Sequence, residues 1–237
     1  MKRSEINRYI AEADAFFAEN HFQLPPYAEW TPEEWKQRGD DADEVRNMHL
    51  GWDLTDFASG DFEKIGLTLF TLRNGAPNGG GAKVYAEKIM FVRENQVTPF
   101  HYHEQKTEDI INRGGKGTGR LAVQLYNAGD GGKLLDTPVT VSCDGIKRTV
   151  DAGTTVYLGP GESITLTPYL SHRFYSVDSP YLSHRFYSVD GHGLIGEVSS
   201  VNDDAADNFF KDPLPRFPKI VEDEAPVRLL CNEYAKA

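Results

Sequence analysis

Two runs rich in β-branched residues, 139–143 (VTVSC) and 146–150 (IKRTV), are separated only by Asp144-Gly145. A two-residue Asp-Gly loop supplies the positive φ angles of a primed turn, whose twist matches that of the strands it joins, so the stretch reads as a β-hairpin. The short-strand pattern continues on both sides. Residues 53–57, 67–72, 84–92, 121–125, 154–158 and 164–167 read as strands, punctuated by Asn74-Gly75, the turn from Asn127 to Gly132, and Gly159-Pro160-Gly161. Many short strands with turn residues between them, and helical patterns only near the start, predict a mainly β fold: an antiparallel barrel or sandwich of the jelly-roll type.

The helical patterns lie in residues 1–40. Ile6, Tyr9, Ile10, Ala13, Phe16 and Phe17 recur at the three-and-four spacing of one face, which predicts a helix over residues 4–19 with Ser4 as its N-cap. Thr31-Pro32-Glu33-Glu34 has the threonine, proline and glutamate of a capping box opening a second, short helix, with Gly39 closing it. Gly79-Gly80-Gly81 is a turn and not a phosphate cradle, since no lysine-serine pair follows in the P-loop arrangement. The chain therefore divides into a helical segment (1–40), a barrel (about 50–210) and a proline-interrupted tail (211–237) that wraps it, all in one domain of 237 residues.

The formal net charge of −11 argues against a nucleic-acid partner, which would need a basic stripe, but leaves room for a neutral ligand such as a sugar. Cys143 and Cys231 read as free thiols, and the start MKRSEIN lacks the apolar run of a signal peptide. No stretch approaches the length of a membrane span. A cytoplasmic protein without a membrane partner is expected.

The chemistry concentrates in PFHYHEQKTE, residues 99–108. Side chains two apart on a strand share a face, so His101 and His103 can reach one ion, and Glu108 adds an oxygen ligand. Imidazoles with one carboxylate suit Mn, Fe, Co, Ni or Zn better than Ca or Mg. The spacing His101-x-His103-x4-Glu108, followed by Gly114 and Gly115, matches the first of the two motifs of the cupin barrels. Gly161, Pro168 and His172 resemble the second, which supplies a fourth ligand from a neighbouring antiparallel strand.

That second motif lies in a tandem duplication. PYLSHRFYSVDS at 168–179 returns as PYLSHRFYSVDG at 180–191, matching at eleven of twelve positions. Only one copy can fill a given barrel strand. His172 is the expected ligand, because that choice leaves the extra residues at a hairpin tip, with His184 the alternative. Downstream, Glu197 shares strand parity with Ile195 and Ser199, which turns it into the barrel, where burial would raise its pKa and suit it to act as a general base.

The segments HYHEQKTEDIINRGG, TPYLSHRFYSVD and GEVSSVNDD, with the helical N-terminus, resemble the bacterial D-lyxose ketol-isomerases, a sugar-isomerase branch of the cupins. The resemblance spans nearly the whole chain. It implies a cupin barrel holding a divalent metal, manganese before cobalt, zinc or iron, on His101, His103, Glu108 and the histidine of the duplicated segment. It also implies interconversion of D-lyxose with D-xylulose and of D-mannose with D-fructose through an enediol, with Glu197 and Lys106 acting on the sugar. A homodimer is expected, since the apolar helix face and the barrel edges would be served by such a contact. The alternatives are a cupin dioxygenase, which uses a similar ligand set around iron, and a sugar-binding cupin without catalysis.

Overall fold

The computed structural model describes residues 1–77, 81–129, 132–168, 181–204, 206–212 and 214–234, with the backbone alone for Tyr181 and Leu182. Gly79, Gly80 and nearly all of the first duplicate, including His172, lie outside the described residues.

Three α-helices, α1 (Arg3–Glu19), α2 (Pro32–Lys36) and α3 (Asp43–Asn47), precede the strands. These are β1 (Gly51–Thr55), β2 (Leu67–Arg73), β3 (Tyr85–Val92), β4 (His101–Tyr102), β5 (Glu108–Asn112), β6 (Arg120–Ala128) and β7 (Leu134–Leu135). They continue as β8 (Val139–Cys143), β9 (Ile146–Val150), β10 (Thr155–Leu158), β11 (Ser163–Leu166), β12 (Tyr181–Val189), β13 (Gly193–Ser200) and β14 (Phe209–Phe210). Eight strands form one sheet in the order β1-β2-β3-β13-β5-β11-β8-β9, and β10-β6-β12-β4-β14 form the facing one, with β7 beside β6. Every pairing between these strands is antiparallel. This is the cupin barrel.

The hairpin forms with the expected register, Cys143 opposite Ile146 and Val139 opposite Val150. Asp144 and Gly145 take φ of +49° and +81°, both turn residues in the left-handed region as a primed turn requires.

Two apolar layers result. Leu69, Met90, Ile110, Leu125, Val141 and Ile195 are among the residues that fill the barrel between the sheets. On the outside, Ile6, Ile10, Phe16 and Phe17 of α1 pack with Trp52, Phe70, Ile89 and Phe91 of β1, β2 and β3. Successive residues of β3 therefore alternate between the two layers. Burying a side chain of this size contributes about 2 kcal/mol, so the face of α1 holds the helix without help from intrinsic propensity.

The cap of α1 differs from expectation. Lys2 is the N-cap, and its backbone N–H donates to Glu5 Oε2 at 2.8 Å, while Ser4 sits in the first turn and donates through N and Oγ to Asp223. The tail, remote in sequence, claims the serine. The second helix keeps its capping box, with Glu34 N–H donating to Thr31 Oγ1 at 3.2 Å, and ends at Lys36, before Gly39. Beyond β14 the tail is irregular among its described residues, and Cys143 and Cys231 are free and buried. No helix among the described residues is long and apolar enough to cross a membrane.

Candidate metal centre

β4 carries His101, the loop after it carries His103 and Lys106, and β5 begins with Glu108. β12 lies between β6 and β4, with its nine residues paired to β6 in continuous register and His184 directly opposite His101. The second duplicate thus occupies the wall, and the place given first to His172 on sequence grounds is filled by the alternative, His184. Two sheets contribute candidate ligands, because β5 belongs to the eight-stranded sheet and β4 and β12 to the other. One ligand atom from each of His101, His103, Glu108 and His184 lies within 4.8 Å of every other.

The loop holding His103 is built around Asp207. Its carboxylate accepts backbone N–H bonds from Glu104, Gln105 and Lys106, at 2.7 Å for Glu104, and its carbonyl accepts the Nδ1–H of His103. His101 donates its Nδ1–H to Pro99 O at 3.0 Å. Each bond fixes the tautomer and leaves Nε2 as a lone-pair donor, the usual outer support of a metal-binding imidazole. The residues then pass a direct test of fit. Among the described residues, His103 Nε2, Glu108 Oε1 and both ring nitrogens of His184 are buried without a hydrogen-bond partner, although His184 Nε2 lies 3.0 Å from Glu108 Oε1. Buried polar atoms are rarely left so, and a cation would satisfy all of these ligand groups at once.

Burial lowers the pKa of His101 to about 3 and puts that of His103 well below its ordinary value, so both rings are neutral and ready to ligate. Burial works against ionisation of Glu108, but the Lys106 ammonium beside it outweighs burial and holds the carboxyl well below its usual range. The sign of the resulting pH dependence is fixed. Below about pH 6.5 the unfolded chain takes up histidine protons that the folded chain refuses until about pH 3, so metal-free protein loses stability on acidification across that window. Urea midpoints measured at pH 7.5, 6 and 5 are expected to fall in that order; equal midpoints would contradict the buried, neutral rings.

Beside this cluster is a cleft open to solvent. Phe57, Leu69, Met90, Ile110, Phe186 and Phe210 supply its apolar wall. Charged side chains lie among them, Lys88 two residues from Met90 on β3 and Glu197 paired across from Ile110. Lys106 Nζ lies 2.7 Å from Glu108 Oε2 and 3.0 Å from Glu197 Oε1, and Lys88 Nζ lies 3.3 Å from the same Glu197 oxygen. Glu197 does face inward as its parity requires, being 5 % exposed. Its pKa runs opposite to expectation, however. Burial would raise it, but Lys106 and Lys88 outweigh burial and lower it. Likewise the charge of Lys106 is opposed by burial but upheld by Glu108 and Glu197, and its pKa rises.

Four further charged residues escaped the sequence reading. Arg216 in the tail is ion-paired with Asp53 on β1 and lies 3.6 Å from Asp204, which follows β13. Lys88 was legible in principle: it shares strand parity with Ala86, Met90 and Val92, all buried, and a lysine in an inward apolar series is a signal. Asp53, Asp204 and Arg216 offered no such pattern.

The chain is 48 % identical to the D-lyxose/D-mannose isomerase of Serratia proteamaculans over 100 % of its own length and 99 % of the relative's. It is 47 % identical to the enzyme of that name from Escherichia coli O157:H7, over 99 % of this chain and 98 % of that one. The crystal structure of Acinetobacter sp. DL28 L-ribose isomerase in complex with L-ribose shares the fold, with a TM-score of 0.55 at 14 % identity over 90 % of this chain and 93 % of that one. The family model described as D-lyxose isomerase matches residues 1–234, and with relatives of this identity along their whole length the chain belongs to the D-lyxose isomerase family.

Proposed function

We propose that the chain is a metal-dependent aldose-ketose isomerase that interconverts D-lyxose with D-xylulose and D-mannose with D-fructose by proton transfer through an enediol. The observation that carries this reading is a set of buried, unpartnered ligand atoms on His103, Glu108 and His184 beside an ionised Glu197–Lys106 pair in one cleft. Family membership sets aside the dioxygenase and the non-catalytic sugar-binding alternatives.

His101, His103, Glu108 and His184 would hold the cation. When bound, a divalent ion supplies Lewis-acid polarisation of the aldehyde and of the neighbouring hydroxyl. Glu197 takes the proton from C2 as the C1–C2 double bond of the enediol forms, then returns it to C1 while a hydroxyl proton passes from O2 to O1. Lys106 begins the cycle bonded to Glu197. As it turns that hydrogen bond to the sugar oxygen, Glu197 loses one of its two counter-charges and its affinity for a proton rises when the proton must be taken. The apolar wall excludes water around the transfer. D-Mannose is D-lyxose extended by one carbinol at the far end, so both sugars present the same reacting atoms to these residues.

The test is metal removal. Protein stripped with a chelator is expected to form no ketose from D-lyxose or D-mannose, and to recover on addition of manganese, with cobalt, zinc and iron compared in parallel. Undiminished turnover by protein shown free of metal would overturn the metal dependence. Failure of the reloaded protein to convert either sugar would overturn the substrate assignment.

A further inference from the structure

Lys88 is buried, 4 % exposed, and belongs to neither the ligand set nor the proton-transfer pair. It stands on β3 directly across the strand pairing from Glu197 on β13. Both ammonium groups that meet Glu197, those of Lys88 and Lys106, meet the same oxygen, Oε1. They also donate to one shared acceptor, Asn202 Oδ1, at 2.8 Å from Lys88 and 3.4 Å from Lys106. Asn202 is itself fixed: its N–H donates to Asn74 Oδ1 and its carbonyl accepts from Asn74 Nδ2, each at 2.9 Å.

The two lysines differ in what else they hold. Lys106 divides itself between Glu197 and Glu108, and it sits in the loop between β4 and β5. Lys88 rises from the middle of a strand paired on both sides, with β2 and β13, and makes no ion pair with a ligand residue among the described contacts. One cation is therefore shared between two carboxylates, and the other, among the described contacts, is paired with Glu197 alone.

We propose that Lys88 is a positioning residue of the proton transfer, pinning Oε1 of Glu197 from the barrel wall so that Oε2 is held as the proton-carrying oxygen while Lys106 is released to the sugar. The assignment deepens the isomerase reading and rests on it. A carboxylate with one oxygen clamped has one rotamer and one reactive oxygen, which is what a transfer between adjacent carbons on one face of the sugar requires. Without Lys88, the departure of Lys106 would leave Glu197 buried and unpaired, and it would swing to follow the lysine or draw in water.

The experiment uses the full-length, metal-loaded enzyme. Lys88→Met keeps the length and removes the charge. It is expected to lower kcat by roughly 10- to 100-fold, as outer partners of reacting groups do, with KM changed less than about threefold and metal content unaltered. The deuterium isotope effect on kcat with C2-deuterated D-mannose is expected to rise, because the misplaced base makes the transfer slower than the steps around it. Lys88→Arg, which restores a cation, is expected to recover at least half of the loss on a logarithmic scale. In a Glu197→Gln background Lys88→Met is expected to add less than about a threefold further loss, since the two act through one step.

An unchanged kcat in Lys88→Met, or a loss that multiplies fully onto that of Glu197→Gln, would overturn the proposal and leave the isomerase reading intact. A wild-type enzyme that converts neither sugar, or a Glu197→Gln enzyme of wild-type activity, would overturn the reading and the proposal together. Lys88→Gln, which keeps a donor to Asn202 without the charge, decides by the same measurements if Lys88→Met does not fold.

Discussion

Glu197→Gln is expected to lower kcat for both sugars by roughly 10²- to 10⁴-fold while leaving the metal site filled, this being the range a positioned acid-base group contributes. Gln matches Glu in shape, so the cross-strand place opposite Lys88 and Ile110 is retained, and what is lost is the capacity to accept a proton. Glu197 lies outside the His101–His103–Glu108–His184 cluster, so metal content measured by elemental analysis should match wild type. Exchange of the C2 proton with solvent, followed by NMR, separates chemistry from binding. A variant that binds metal and sugar and exchanges that proton at the wild-type rate would remove Glu197 from the role.

The second large effect concerns the duplicated histidines. His184→Ala is expected to lose the metal and to lower activity at least about 100-fold, while His172→Ala keeps both, because it is His184 whose ring faces His101, at 4.3 Å between centroids, with both its nitrogens buried and unpartnered. Deletion of residues 168–179 carries the same expectation in a stronger form. Thr167 would then run directly into the intact copy that supplies β12 and its nine pairs with β6, so the shortened enzyme should bind metal and isomerise D-lyxose. A His172→Ala protein that lost its metal as completely as His184→Ala would overturn the assignment of the wall to the second copy.

The difference between these two histidines shows where sequence reasoning stops. The copies differ at one position of twelve, so no property of the residues distinguishes them, and the tolerance of a hairpin tip for extra residues favoured the first. The pairing of His184 with His101 is a tertiary fact. The same division separates the helix caps: Thr31 and Glu34 form their box within one turn and were legible, whereas Ser4 is taken by Asp223 from the far end of the chain. It also separates the two statements about Glu197. Parity alone turned the side chain inward, but the direction of its pKa depended on two lysines from other segments, and the expected rise became a fall.

The sequence by itself determined the hairpin at Asp144-Gly145, the buried face of α1 and the strands from β1 to β3 and β8 to β11. These follow from turn sterics and side-chain periodicity, which act over a few residues and need no knowledge of what lies opposite. Only the tertiary structure decided which duplicate lines the barrel, that Asp207 shapes the loop of His103, and that Lys88 and Lys106 share one oxygen of Glu197. Those outcomes depend on which distant strands become neighbours, and at such contacts the charge facing a buried group, not the group's own chemistry, sets its state.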